Sequence, residues 1–166
     1  MEIDSNIKVA LIHDWLSKHF TGGAEKVLKE IQEILFRKNL KYDLYTLIND
    51  LNKDHIKRST QQKVFTSLIQ NLPFSRNHFH KYLPLFPFAI EQFDLNNYDL
   101  ILSSSHSVAK GVITTPDQLH ISYIHSPMRY AWDQMNTYLM HSSYKKFGMT
   151  IVLRLILQNL RQWDYI

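Results

Sequence analysis

The sequence predicts an α/β domain in which helices cover both faces of a mostly parallel sheet. Short apolar segments rich in branched residues recur along the chain, and helical periodicity separates the first two of them. Polar clusters follow several of these segments. Strands that are buried on both faces of a parallel sheet have this continuous apolar character. The length of 166 residues suits one such domain, so we expect a single domain over residues 1–166.

The start of the chain has the order of a nucleotide-binding unit. Ile7–His13 is apolar and branched, and predicts the first strand. A loop over residues 14–22 follows, and apolar residues then recur at helical spacing over Ala24–Leu35. Tyr42–Leu47 predicts the second strand, reached by a right-handed crossover. A strand, a glycine turn and a helix in this order predict a Rossmann-like domain.

The middle of the chain has weaker signals. Residues 51–71 are polar and predict at most a short strand at Val64–Phe65 and a helical turn. Residues 76–93 are rich in aromatic residues and contain Pro84 and Pro87, so two short helices or one kinked helix are expected.

The second half predicts two further strands, at Tyr98–Ser103 and Leu119–Ile124. Pro127 ends the second of them and leads into a helix over Arg129–Met140. An amphipathic helix is expected over Phe147–Ile166. It carries no capping signal, so we expect the natural protein to continue beyond it.

Composition excludes several classes of protein. No segment approaches the roughly 20 apolar residues of a membrane span, and the N-terminus lacks the basic start of a signal peptide. The absence of cysteine excludes disulfides and thiolate metal sites. The net charge of +4 is scattered, which suits a phosphorylated ligand or anionic lipid and gives no support to nucleic-acid binding. We expect a cytoplasmic protein, with peripheral contact to the inner face of the membrane.

Three polar clusters fall where strands are expected to end, which is where open parallel sheets bind ligands. The first contains Gly22, Gly23 and Glu25. The glycines let backbone amides approach a ligand, and the helix start attracts an anion such as a diphosphate. The alternative is a tight turn in which Glu25 stabilises the first helical turn.

The second cluster is Ser103–Ser107, whose hydroxyls and imidazole can bind a polyhydroxylated molecule or form a capped turn. The third contains His125, at a strand end, and Arg129, in the expected first turn of the next helix. A cation there opposes the helix dipole, so a phosphate or carboxylate partner is expected. The alternative for His125 is a core histidine with satisfied hydrogen bonds.

Motifs for other chemistry are missing. His78 and His80 have no carboxylate or cysteine partner at metal-ligand spacing, and there is no Asp-x-Asp motif, so no metal site is predicted. The chain also lacks the P-loop, the Gly-x-Ser-x-Gly elbow and the dinucleotide fingerprint. No cofactor is therefore predicted.

The strand Val9–His13, the Gly-Gly-Ala-Glu turn, Ser103–His106 and the stretch Tyr123–Asp133 together resemble the N-terminal domain of family 4 retaining glycosyltransferases. The resemblance covers nearly the whole chain. Its most specific part, His-Ser-Pro-Met-Arg-Tyr-Ala-Trp-Asp, resembles bacterial mannosyltransferase-like members that build surface polysaccharides. It implies the N-terminal half of a GT-B fold, which holds mainly the acceptor, while a C-terminal domain absent from this chain holds the nucleotide-sugar.

The resemblance also implies roles for individual residues. Gly22 and Gly23, in the turn that includes Glu25, approach the donor diphosphate. His125 is the catalytic residue: it lies beside the donor sugar, orients a hydroxyl and helps stabilise an oxocarbenium-like state. The residues implied on the substrate side are Ser105, His106, Ser126, Arg129 and Tyr130.

We therefore expect a domain of a retaining, metal-independent hexosyltransferase that uses a GDP- or UDP-sugar and a glycan or lipid-linked acceptor. The groups that neutralise the leaving diphosphate belong to the other domain, so this chain alone is expected to be inactive. The alternative is a non-catalytic Rossmann-like binding or interaction module, because a fold does not fix a function. Apolar surface near the terminal helix predicts a homodimer.

Overall fold

The computed structural model describes residues 7–18, 22–51, 60–141 and 147–165. The chain divides into two compact units, Met1–His125 and Ser126–Ile166. The first unit contains the sheet, and the second contains two helices.

The first unit is built on a five-stranded sheet with the order β3-β2-β1-β4-β5. Every neighbouring pair is parallel. The strands are β1 (Val9–Leu16), β2 (Tyr42–Asn49), β3 (Gln61–Thr66), β4 (Leu100–Ser105) and β5 (Leu119–Ile124). The chain winds outward from β1 to β3 and then from β4 to β5 on the other side, so β1 and β4 flank the point where the winding reverses. The predicted parallel α/β fold of Rossmann-like type is confirmed.

Helix α1 (Gly23–Arg37) covers one face of the sheet. Its buried residues Leu28 and Leu35 pack in one apolar cluster with side chains of β1 and β2. Burial of a leucine side chain contributes about 1.5–3 kcal/mol, so this seam holds the helix against the strands. On the other face of β2, the Tyr45 ring lies 5.1 Å from the Phe93 ring, measured between centroids.

The C-terminus of α1 is closed by a Schellman motif. The N–H of Leu40 donates to the carbonyl of Leu35 at 2.9 Å, and the N–H of Asn39 donates to that of Phe36 at 2.9 Å. Asn39 has φ 52°, in the left-handed region that asparagine tolerates better than most residues. Leu35 and Leu40 are both buried in the core cluster, so the turn also anchors the entry to β2.

Strands β1 and β4 extend further toward their carboxyl ends than predicted. β1 reaches Leu16 rather than His13, and β4 includes Ser104 and Ser105 and starts at Leu100. Polar residues were expected to end both strands. They continue the ladder because their side chains find hydrogen-bond partners on neighbouring strands and turns. The predicted loop therefore begins only after Leu16, and its residues 19–21 lie outside the described ranges.

The middle of the chain is close to what was predicted. The short strand is β3, and the helical turn is the 3-10 helix Leu68–Asn71. The aromatic segment forms three short helices, namely α2 (Ser75–His78), a 3-10 helix (Phe79–Leu85) and α3 (Phe86–Glu91). Pro84 lies in the 3-10 helix, and Pro87 lies in the first turn of α3, where its missing N–H costs nothing.

The second unit contains α4 (Met135–His141) and α5 (Phe147–Tyr165). The helix predicted to begin at Arg129 begins only at Met135, and turns precede it. Side chains of α5 stabilise those turns: Arg161 Nη1 donates to the carbonyl of Ala131 at 2.8 Å, and Trp132 Nε1 donates to Asp164 Oδ2 at 2.8 Å. Among the helices that the structure describes, none is long and apolar enough to cross a membrane.

Replacement of Asn39 by alanine is expected to lower the free energy of unfolding by about 1 kcal/mol, because alanine adopts the left-handed backbone less readily than asparagine. Asn39→Gly should leave it equal or higher. Lys38→Ala, one residue earlier and outside the left-handed region, is the matched control and should change it by less than about 0.5 kcal/mol. Urea denaturation followed by circular dichroism measures all three, and equal effects of Asn39→Ala and Asn39→Gly would contradict the assignment.

Candidate functional site

Polar side chains converge at the carboxyl ends of β1, β4 and β5, where the winding of the sheet reverses. His13 lies opposite Ser104 in the ladder, and Ser104 lies opposite Tyr123. Because register partners share one face of a sheet, these three residues point to the same side. His125 follows Tyr123 by two residues and joins them, with its imidazole Nε2 2.9 Å from Ser104 Oγ.

A buried carboxylate holds the turn that follows β4. Asp14 is 0% exposed. Its Oδ2 accepts the N–H groups of His106 and Ser107 at 2.7 and 2.9 Å, and its Oδ1 accepts those of Val108 and Ala109 at 2.6 and 2.7 Å. Hydrogen bonds to a charged acceptor each contribute about 1.5–3 kcal/mol. The carboxylate thereby ties the end of β1 to the end of β4.

This turn places the His106 ring at the centre of the cluster. Its Nδ1 lies 3.0 Å from Asp14 Oδ2, in an orientation that does not form a hydrogen bond. The ring packs edge-on against Trp15, with 4.2 Å between centroids. The centroids of the His13 and His125 rings lie 5.7 and 6.3 Å away. The fixed turn therefore brings three imidazoles together.

The protonation state of His13 follows from its contacts. Its Nδ1 lies 3.1 Å from the carbonyl oxygen of Ser104, and a carbonyl only accepts, so Nδ1 carries the proton. Burial lowers the pKa of His13 from 6.5 to about 4, with Asp14 acting in the opposite direction and His106 in the same one. The ring is neutral at pH 7. Its Nε2 is then an acceptor, and this buried atom has no partner within the described residues.

His125 is neutral at pH 7 for the same reason. Burial, and then electrostatic repulsion by His106, lowers the pKa of His125 below the usual 6.5, while Asp14 and Glu25 oppose the shift. The backbone N–H of His125 donates to the carbonyl of Ser105 at 2.9 Å. Its ring is only partly buried, so a ligand can reach it.

The start of α1 supplies a different surface. The N–H of Gly22 donates to Glu25 Oε2 at 2.6 Å, so Glu25 caps the helix, as the structural alternative predicted. A Cβ at Gly23 would meet no described atom within 4 Å, and one at Gly22 would meet only Glu25 Oε2 at 3.5 Å. Neither glycine has a positive φ. The described structure does not itself require glycine here, which leaves open backbone for the approach of a ligand.

The remaining predicted substrate residues are placed differently. Ser105 is 1% exposed, and Ser104 rather than Ser105 contacts the His125 ring. Ser126, Arg129 and Tyr130 belong to the second unit. Arg129 is not in a helical first turn, because α4 starts at Met135, so the expected conflict with a helix dipole does not arise. Its Nε lies 3.9 Å from Asp133 Oδ2, and both side chains are mostly exposed.

Sequence reasoning missed His13, Asp14 and Trp15 as parts of the site, and within the predicted cluster Ser103–Ser107 it did not single out Ser104. Asp14 could have been recognised as a candidate, because it directly follows the apolar run Ile7–His13 that predicts a strand ending at the carboxyl edge of the sheet. Ser104 could have been distinguished from Ser103 and Ser105 by the alternation of side chains along a strand. The backbone N–H groups that bind Asp14 could not have been predicted, since they lie more than 90 residues away in the sequence.

Comparisons of the chain with protein-family models, with curated proteins and with solved structures found no match. No group of three His, Cys, Asp or Glu side chains within the described ranges could hold a metal ion. What the described site offers is neutral imidazole nitrogens, a serine hydroxyl and helix-start amides, which suit a hydroxyl-rich ligand with an anionic group.

Asp14→Asn is expected to lower the free energy of unfolding by roughly 3 kcal/mol, because the amide nitrogen would face backbone N–H donors in place of an acceptor. The matched control is Asp99→Asn. Asp99 also accepts a backbone N–H, that of Lys8 at 2.9 Å, but it is exposed and should lose less than about 1 kcal/mol. Urea denaturation compares the variants, and equal losses would exclude a special role for Asp14.

Acidification should destabilise the protein through His13. Its pKa is about 4 in the folded chain and 6.5 for an unperturbed histidine, so between these pH values the unfolded state binds a proton that the folded state does not. The free energy of unfolding therefore falls as the pH falls, by about 3 kcal/mol from this group. The non-titrating His13→Asn should remove that part of the pH dependence, whereas Ser104→Ala, which keeps the backbone carbonyl, should retain it. Identical pH dependence in wild type and His13→Asn would contradict the assignment.

Proposed function

We propose that this chain is the acceptor-side domain of a retaining, metal-independent glycosyltransferase that moves a sugar from a nucleotide-sugar to a glycan or lipid-linked acceptor. The observation that carries the proposal is the meeting of His13, Ser104 and His125 at one end of the sheet. Each presents hydrogen-bonding groups of the kind that sugar hydroxyls need. The resemblance of the Gly-Gly-Ala-Glu turn and the Tyr123–Asp133 stretch to family 4 enzymes supports the same function.

The neutrality of the imidazoles supports a hydroxyl-rich ligand. A sugar hydroxyl both donates and accepts, and a neutral imidazole has one nitrogen for each task. A protonated imidazole could only donate. His13 Nε2 is a fixed acceptor without a described partner, which is costly for a buried polar atom unless a ligand or water satisfies it.

His125 is proposed to act on the sugar directly. Ser104 engages its Nε2, which leaves Nδ1 without a partner among the described residues and available to a ligand. In a transfer with an oxocarbenium-like transition state, positive charge develops on the sugar ring. A neutral imidazole can orient a hydroxyl beside that charge without repelling it, so the lowered pKa of His125 suits the role.

The start of α1 is proposed to face the anionic part of the donor. The first N–H groups of a helix have no intrahelical partner and favour negative charge. Glu25 takes the N–H of Gly22, and the amides of Gly23 and Ala24 follow in the same turn. The open space beside Gly23 lets a diphosphate oxygen come close to the backbone. Groups that grip the rest of the nucleotide are assigned to a separate donor-binding domain.

Loss of the His125 imidazole should lower kcat/KM for sugar transfer about 100-fold, which is the effect of removing one preorganised transition-state contact. The variant is His125→Asn, assayed with GDP- and UDP-sugars in the full gene product that carries this domain. The matched control is His120→Asn, since His120 lies on the same strand but its Nε2 contacts Ser103 Oγ at 2.9 Å on the other face. Its turnover should stay within about threefold of wild type.

Two results would count against the proposal. Unchanged turnover in His125→Asn would remove His125 from the mechanism. Calorimetric titration that shows no binding of either nucleotide-sugar to the full gene product would favour the alternative, a non-catalytic binding module.

A further inference from the structure

A surface between the end of β3 and α3 combines exposed apolar side chains with positive charge. We call it the aromatic-basic surface. Its members are Leu68, Phe74, Arg76, Lys81, Leu85 and Phe88, all exposed. They lie on or directly before consecutive short helices that follow β3 at the carboxyl edge of the sheet.

Phe74 is held out into solvent by its own backbone. Its side chain is 81% exposed, and its φ of 56° lies in the left-handed region, which is unfavourable for a bulky residue. The turn is fixed on both sides: Tyr82 Oη donates to the carbonyl of Pro73 at 2.7 Å, and the N–H of His78 donates to the carbonyl of Phe74 at 2.9 Å. Such a conformation persists only where the surroundings impose it, and such positions are commonly functional.

The helices next to this turn expose two large apolar side chains among polar ones. Phe79, Leu83 and Phe86 are buried on the inner side. On the outer side, where polar residues are usual, Leu85 is 38% and Phe88 is 54% exposed. Large apolar side chains exposed on neighbouring short helices are candidates for a docking surface.

Charge narrows the choice of partner. Residues 55–90 contain no Asp or Glu, although a chain with 15 acidic residues in 166 would place about three there. The same stretch includes Arg76 and Lys81, both exposed, and further cations. The nearest carboxylate along the chain is Glu91, at the end of α3. Exposed phenylalanines together with an excess of cations are complementary to an apolar layer covered by anions.

We propose that the aromatic-basic surface docks onto an anionic lipid bilayer. Phe74 and Phe88 enter the boundary between headgroups and acyl chains, where aromatic and aliphatic side chains gain from leaving water. Arg76 and Lys81 remain at the level of the lipid phosphates. Docking requires no transmembrane helix and no activity of the site.

The docked surface is mechanically joined to the polar site. The Trp15 ring lies 5.1 Å from Phe79 and 4.2 Å from His106, measured between ring centroids. A chain of packed rings therefore runs from the helices that carry the surface to the centre of the site. This arrangement would present the site close to a membrane, which suits a lipid-linked acceptor and in that respect rests on the proposed function.

Sedimentation with vesicles of phosphatidylcholine, with or without phosphatidylglycerol, tests the docking on the whole chain. Wild type should bind vesicles that contain phosphatidylglycerol, and binding should weaken as salt is raised. Phe74→Ser should lower the partition coefficient about tenfold, since it removes one inserted aromatic side chain. Arg76→Glu combined with Lys81→Glu should lower it at least as much. Phe74→Trp should retain binding and show fluorescence quenching by brominated lipid.

Matched controls distinguish binding through this surface from nonspecific hydrophobic or electrostatic binding elsewhere on the protein. Ile113→Ser removes another exposed apolar side chain, 63% exposed, and Lys29→Glu reverses an exposed charge on α1. Both should bind vesicles as wild type does. The proposal would be overturned if wild type did not bind vesicles or if the control variants lost as much binding as the surface variants. It would also be overturned if the surface variants lost RNA binding or self-association and kept vesicle binding. Vesicle binding does not depend on turnover, so failure of the proposed transfer reaction leaves this result unaffected.

Discussion

The candidate site depends on one buried carboxylate. Asp14 lies near the carboxyl end of β1, and its carboxylate accepts four backbone N–H groups from the turn after β4. A buried carboxylate without such partners would be very costly, so the turn after β4 has little freedom to change. That turn fixes where His106 lies, and β4 just before it presents Ser104 to both His13 and His125. The topology of the sheet determines where the candidate site lies, and the hydrogen bonds of Asp14 fix the turn that carries His106.

Burial also sets the chemistry of the site. The same apolar surroundings that stabilise the sheet lower the pKa values of His13 and His125, and both rings stay neutral at pH 7. A neutral ring binds hydroxyls with either nitrogen and tolerates positive charge that develops nearby. One cause, desolvation at the carboxyl edge, therefore links the stability of the fold at low pH to the ligand that the site can bind.

The sequence was sufficient to predict the strands, their parallel arrangement and the turn before α1, because apolar runs and glycine signals are local. It was not sufficient for the ends of β1 and β4. Asp14 and Ser104 were expected to stop their strands, yet each is satisfied by atoms far away in the sequence, which no local pattern reveals. The expected position of Arg129 in the first turn of a helix was wrong for a different reason. The helix α4 starts only at Met135, so no helix dipole opposes the charge of Arg129.

We propose that the neutral histidines at the carboxyl edge of the sheet form a ligand site. Long-range proton–nitrogen NMR of the histidine rings, with a GDP- or UDP-sugar added to the full gene product, can test this. We expect His13 to show a protonated Nδ1 and an unprotonated Nε2 at pH 7. Addition of ligand should shift His13 and His125 and leave His120 unchanged. A protonated His13 ring, or shifts confined to His120 and histidines outside the site, would show that these rings do not form such a site.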